Sequence, residues 1–363
     1  MTEIIFEEIE TIEFLGNFDD EYVYDIEVDT EDEYCHNFFA NDILVHNTDS
    51  LYSSYDPLLQ TIKGYENMSD KELLDIVLKI NLEFLDNHNN EYITEYYTKR
   101  GGKSIHAFEL ETVSLAGIWL DKKKNYAQIL LWKDGKFFDM DNLKLKAKGL
   151  EVIKGAWPKY AKKLLHDYIM YLFTLKNDGY IAQKINIMVQ ETKQSFMDAP
   201  IDSICGSVKV NKYGSNVGHI TGKGNKATFE RANAQESVLD LQCKSQAGRG
   251  VKGAYNYNRI KAKYNIPGDT IRNGKVKWYF YRNGIQPNKS RSNITDCYDV
   301  MCFEALNYPE WLEKYAPIDR RRMFQTQVID PMNRIMHAIG EPLLTIDGQL
   351  IKDDTLDGLE FPE

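Results

Sequence analysis

The chain is 363 residues long, with 43% hydrophobic and 27% charged residues and a formal net charge of -11. That length exceeds one ordinary domain, and that composition excludes a disordered or fibrous chain. No apolar run approaches the ~18 residues that would span a bilayer. Five cysteines without a Cys-x-x-Cys spacing argue against a disulfide framework or a structural zinc site. The opening Met1-Thr-Glu-Ile-Ile5 lacks the basic n-region of a signal peptide, so a reducing, cytoplasmic setting is expected.

The charge is blockwise. Residues 1–47 hold fifteen Asp and Glu and no Lys or Arg. The remainder carries all 44 basic groups against 40 acids, a balance of +4. Residues 244–291 alone carry twelve Lys and Arg and one acid, Asp269. An acidic head followed by a body with a basic stretch implies parts with different partners.

In chain order, residues 22–28 alternate as a strand, with Tyr22, Tyr24, Ile26 and Val28 on one face, and 43–46 form a second short strand. Ser69 and Glu72 make a capping box ahead of Leu73, Val77, Ile80 and Phe84 at helical spacing. Residues 126–138 read as a hairpin turning at Asp134-Gly135. Residues 158–176 are an amphipathic helix with Pro158 near its first turn. The stretch 206–253, rich in Gly, Lys, Asn and Ser, reads as loops, and the tail from 345 is short and acidic.

The head carries Leu15-Gly16, then Val23-Tyr-Asp-Ile-Glu-Val28, His36-Asn-Phe-Phe-Ala-Asn41, and Ile43-Leu-Val-His-Asn47 followed by Thr48. This ordered set resembles the C-terminal motifs of inteins. The residue types suit the chemistry. The Asn47 side-chain amide can attack its own carbonyl and release the bond to Thr48. His46 and His36 can supply the proton that the leaving amide needs. Thr48 offers the hydroxyl that accepts the upstream acyl group. Asp25 matches the family's strand aspartate and would orient or deprotonate that hydroxyl. Taken singly, Asp25 reads as a solvated strand residue and His36 as a loop histidine; the joint pattern carries the functional reading. The first nucleophile and the Thr-x-x-His motif of complete inteins do not precede the match. The resemblance is therefore to the C-terminal half of a split intein, with a second polypeptide supplying the rest.

Thr48-Asp-Ser50 follows directly. It resembles the end of the Tyr-x-Asp-Thr-Asp-Ser motif of family B DNA polymerases, whose two aspartates hold divalent metal. The first aspartate would be the partner's last residue. Lys123-Lys-Asn-Tyr126 resembles the family's Lys-Lys-Arg-Tyr motif near the primer terminus, with Asn125 departing from the basic third position. Lys144-Leu-Lys-Ala-Lys-Gly-Leu-Glu151 resembles the strand-end motif leading into the thumb, and Ala254-Tyr-Asn-Tyr-Asn-Arg259 a thumb segment of the large tailed bacteriophage type.

The resemblance implies a multidomain chain. Residues 1–47 would be a β-rich HINT-type fragment, 48–150 the C-terminal α+β part of a palm, and 151–363 a mainly α-helical thumb with its tail. Trans-splicing at Asn47/Thr48 would give a DNA-directed DNA polymerase acting in the host cytoplasm if viral; the unspliced chain is expected to be inactive. Asp49 would hold one of two Mg²⁺ ions, with Glu111 a second carboxylate or a plain ion-pair partner. Lys123, Lys124, Lys146 and Lys148 would meet phosphates, and Tyr126 the primer sugar. Tyr257, Asn258 and Arg259 would meet DNA in a thumb whose basic stretch interleaves Tyr255, Tyr264, Trp278, Tyr279 and Tyr281. Partners would be the N-terminal polypeptide, primer–template DNA and dNTPs. Thr355–Phe361 resembles a sliding-clamp-binding tail, with a disordered acidic terminus as the competing reading. The rival for the whole chain is a DNA-binding accessory subunit that docks through its acidic head without splicing.

Overall fold

The computed structural model describes residues 52–103, 107, 109–122, 124–139, 142–175, 179–222, 228–233, 235–244, 246–282, 299–304 and 308–351, and the backbone alone of 37–40, 43–46 and 294–295. The chain divides into two compact units, Met1–Val113 and Ser114–Glu363.

In the first unit, β1 (Asn37–Ala40) pairs antiparallel with β2 (Ile43–His46), Ala40 opposite Ile43. The strand expected at 43–46 is β2; the one expected at 22–28 lies outside the described residues. Helix α1 (Asp70–Ile80) starts at the capping box read from the sequence. The Ser69 N–H donates to Glu72 Oε2 at 2.8 Å, and the Glu72 N–H donates to Ser69 Oγ at 3.3 Å. These bonds satisfy two of the donors that a helix start leaves open. A π turn at Asn81–Leu85 then leads into α2 (Asp86–Thr98). Asn81 is buried there; its amide donates to the Val77 carbonyl at 2.8 Å and its oxygen accepts from Tyr55 Oη at 2.9 Å.

The second unit opens with an antiparallel sheet. Its strands are β3 (Thr112–Trp119), β4 (Tyr126–Lys133), β5 (Lys136–Phe137) and β6 (Lys144–Lys148), with β4 between β3 and both β5 and β6. The expected hairpin is β4–β5. Asp134 and Gly135, at φ 49° and 79°, make the left-handed turn that matches strand twist. Helix α3 (Lys159–Thr174), with Pro158 at its N-cap, buries Ala161, Leu164, Leu165, Tyr168, Ile169 and Leu172, the stripe its period predicts. It packs on α4 (Ile181–Asp198).

The stretch 206–253, read from composition as loops, is mostly regular structure. It contains β7 (Gly206–Val210), β8 (Val217–Thr221), β9 (Thr228–Arg231), β10 (Gln242–Lys244) and the start of α5 (Arg249–Lys263). Strand β11 (Gly274–Phe280) lies between β7 and β13 (Val300–Glu304), and β12 (Ile294–Thr295) extends a second sheet in the order β12-β10-β8-β9. The segment expected to be mainly helical thus mixes helices with antiparallel sheets. The β7–β11 partners are distant in sequence, for instance Trp278 opposite Gly206, so no local turn signal announces that pairing; β8 and β9 pair locally, with Thr221 opposite Thr228. Helix α6 (Asp330–Ala338) and a closing pair, β14 (Leu343–Leu344) with β15 (Leu350–Ile351), complete the unit. One core runs through it, built around Tyr168, Phe196, Tyr255, Tyr279, Phe303 and Phe324. Among the described residues no helix is long and apolar enough to cross a membrane.

Candidate nucleic-acid interface

Two lysine-bearing motifs, some twenty residues apart in sequence, meet through the β4–β6 register. Tyr126 lies opposite Lys148, Ala127 opposite Ala147, and Gln128 opposite Lys146. Alternation along β6 sends Leu145 and Ala147 onto the core and Lys144, Lys146 and Lys148 to the other face, shared with Tyr126. Lys144 Nζ sits 5.0 Å over the Phe138 ring. The result is a row of three lysines at two-residue intervals beside Tyr126, with Lys144 and Lys148 exposed and Lys146 half-buried opposite the buried Gln128.

The ends of the two motifs are locked together. Lys124 adopts φ 61° and Gly149 φ 72°. A Cβ at Gly149 would fall 1.8 Å from Asn125 Oδ1 and 2.6 Å from the Lys124 carbonyl, so glycine is required on both counts. Asn125 is buried; its N–H donates to the Lys122 carbonyl at 3.1 Å and its carbonyl accepts from the Leu120 N–H at 3.0 Å. Its departure from a basic residue therefore has a structural correlate: this position faces Gly149, not solvent.

Behind the row, Glu151 is buried between the core residues Leu150 and Val152. Its carboxylate pairs with Lys154 Nζ at 2.8 Å and with Arg334 of α6. In the sequence Glu151 stands out only as the end of the strand-end motif. A carboxylate flanked by two core side chains was the available signal, since such a group is retained only with a partner.

The expected thumb contacts fare differently. Asn258 on α5 is buried, and its amide donates to the Ile271 carbonyl at 2.7 Å and to Tyr213 Oη at 3.1 Å, while its oxygen accepts from the Ile271 N–H at 2.8 Å. These bonds use its polar atoms inside the fold and leave none for a phosphate. Tyr257 is buried against Trp311, with ring centroids 5.1 Å apart, and burial raises its pKa. Arg259 is half-buried, with its charge near Tyr281. Tyr255, Trp278 and Tyr279 are also core residues, the first and last bonded to the Leu241 and Ala316 carbonyls. The aromatics interleaved with the basic stretch thus largely build the core; Tyr264 is the exposed one among them, stacked on Tyr315 at 4.1 Å.

Glu111 is exposed at the end of the first unit. Asp25, His36, Asn47, Thr48, Asp49, Lys123, the His46 side chain and the tail beyond 351 lie outside the described residues. Among the described residues no group of three or more His, Cys, Asp or Glu side chains gathers where a metal ion could be held.

No family model matches the chain. Two known proteins are similar to part of it. A DNA polymerase of Thermococcus litoralis is 32% identical over 142 residues, 39% of this chain and 6% of that protein. A DNA polymerase of Thermococcus sp. (strain GE8) is 33% identical over 175 residues, 48% of this chain and 8% of that protein. The chain therefore contains a region related to DNA polymerases and spans less than a tenth of those relatives' length.

Proposed function

We propose that the chain is the precursor of the C-terminal part of a family B DNA polymerase of the large tailed bacteriophage type, joined to its N-terminal part by trans-splicing at Asn47/Thr48. The observation that supports the polymerase reading most is the β4–β6 register, which unites two motifs matched independently in sequence. A row of lysines beside a tyrosine on one sheet face suits a phosphate backbone and gives sequence-independent, salt-sensitive affinity. The partial similarity to DNA polymerases points the same way.

The splicing reading rests on the ordered motifs up to Thr48. Thr48 Oγ takes the upstream acyl group from the first nucleophile of the second polypeptide, which leaves with the Thr48 hydroxyl proton; once Asn47 cyclisation frees the Thr48 amine, the acyl moves from Oγ to that nitrogen and closes the peptide bond. Asn47 then cyclises, with His46 protonating the departing amide of Thr48 and His36 assisting. Asp25 orients the Thr48 hydroxyl. Mg²⁺, when bound, would stabilise the charge that develops in nucleotidyl transfer; Asp49 would hold it together with the aspartate that the second chain contributes as its last residue before the junction.

Intact-mass analysis of the chain mixed with the N-terminal polypeptide tests the proposal. Loss of residues 1–47 with gain of the upstream chain is expected, followed by primer extension. A tight complex of unchanged masses would overturn splicing and favour an accessory subunit docked through its acidic head. Asn47→Ala should bind the partner without cleavage before Thr48.

A further inference from the structure

The sheet β12-β10-β8-β9 has two unlike faces. Val217 and Cys243, opposite one another in register, are fully buried and turn one face to the core. The other face carries Gly218, Ile220, Phe229, Arg231, Gln242 and Lys244. Gly218 lies between Gln242 on β10 and Arg231 on β9. A Cβ there would be 3.0 Å from two carbons of the Phe229 ring, so the ring lies across the strand over the glycine. Lys244 Nζ covers the ring 3.9 Å from its centroid. Phe229 and Lys244 are half-buried, and Arg231 and Gln242 are exposed.

We infer that this face is a second nucleic-acid site, which takes one single strand by stacking a base on Phe229 between the cations Arg231 and Lys244. The inference rests on the reading of the chain as DNA-binding. An aromatic ring laid flat on an outward sheet face is a stacking platform, and two cations on strands two apart, roughly 10 Å across the sheet, bracket it for phosphates. The ring selects the form of the ligand: an intact duplex offers its backbone but no base face, so only a single strand uses Phe229. Lys244 marks the place of the base. A half-buried lysine on a phenyl ring is a weaker partner than a stacked base, and the long lysine stem lets the charge move from ring to phosphate.

The test is fluorescence anisotropy of the full-length chain with labelled oligo(dT) and with a blunt duplex. Phe229→Leu keeps an apolar cover over Gly218 and should weaken oligo(dT) about tenfold while duplex binding holds. Arg231→Gln should lower the salt slope for oligo(dT) by about 0.7. In Phe229→Trp the indole should be quenched by oligo(dT) and not by the duplex. Equal oligo(dT) affinities for Phe229→Leu and the parent chain, or equal losses for both DNAs, would overturn the site. Displacement of oligo(dT) by polyglutamate with the same dependence on Phe229 would overturn it in favour of an acidic protein ligand. A parent chain that binds neither DNA would remove the DNA-binding reading as well, which separates the two failures.

Discussion

Strand β6 and helix α5 each carry three lysines, and the sequence places both at DNA, yet α5 takes Lys261 into the fold whereas β6 buries none of its three. In β6 the period of two alternates Lys144, Lys146 and Lys148 with Leu145 and Ala147; the latter two pack on the large core, while the lysine face also holds the buried Gln128 and Leu130 of β4 and keeps Lys144 and Lys148 exposed. In α5 the helix lies across the β7-β11-β13 sheet and is pressed close to it. A Cβ at Gly253 would fall 2.2 Å from Cys302 Sγ, and the face so buried includes Tyr255, Asn256, Tyr257, Asn258 and Lys261. Charge content reports that a segment is basic. Which side chains reach a ligand is decided by the elements packed on either side.

The largest effect should come from the joint behind β6. Gly149→Ala places a Cβ against a buried amide and a backbone carbonyl while holding a left-handed φ. Backbone strain and overpacking together should cost about 2–4 kcal/mol, read as a lower urea midpoint with unchanged m. DNA affinity should fall too, because Lys124 and Lys148 are set by this contact. A neutral Gly149→Ala would show that the two motifs are not locked. Asn258→Ala comes next. It strands the Ile271 N–H and C=O inside the fold, at about 2–3 kcal/mol. The salt slope of DNA binding should not change, and a reduced slope would restore Asn258 to the interface.

Lys146→Ala and Lys148→Ala should do the reverse. Stability should stay within about 0.5 kcal/mol, while each lowers the salt slope for duplex DNA by about 0.9 and weakens all sequences alike. A sequence-dependent loss would mean base contact and would contradict a backbone grip.

The same contrast explains what could be read from sequence. Features with a local cause were legible: the Ser69–Glu72 box, the Asp134-Gly135 hairpin, the apolar stripe of α3, and the strand at 43–46. The two lysine motifs were legible as motifs, though not their meeting across β4 and β6. Strands β7 to β10 were not, because they are three to five residues long, β7 and β8 contain glycine, and β7 pairs with chain 72 residues away at Trp278. Glycines that read as loop markers serve close packing: Gly218 lies under Phe229, and Gly253 lies on Cys302. The tyrosines and the tryptophan of 255–281 are β-formers with a hydroxyl or ring N–H, which suit a core or a DNA surface equally until the covering helix is known.

The smallest effect sharpens the comparison at a single amine. Lys261 of α5 is buried, with Nζ donating to the Asp269 carbonyl at 2.8 Å. Burial depresses its pKa, against the pull of Asp269 and Glu304. In the unfolded chain the amine returns to its ordinary value near 10.4. Between the folded and unfolded values the folded state is neutral while the unfolded state still holds the proton, so stability from this group rises with pH across that window. Below the folded value both states are charged and the dependence vanishes. The buried tyrosines act oppositely: with Tyr213 held up to about 12 by burial, the unfolded state releases its phenol protons first and stability falls. That opposing slope is common to the parent chain and a Lys261 variant, and cancels in their difference. Urea midpoints measured between about pH 8 and 10 should therefore climb more in the parent than in Lys261→Met. Parallel curves would mean that the amine reaches water along its own stem, and that α5 differs from β6 in its tyrosines and asparagines but not in its lysines.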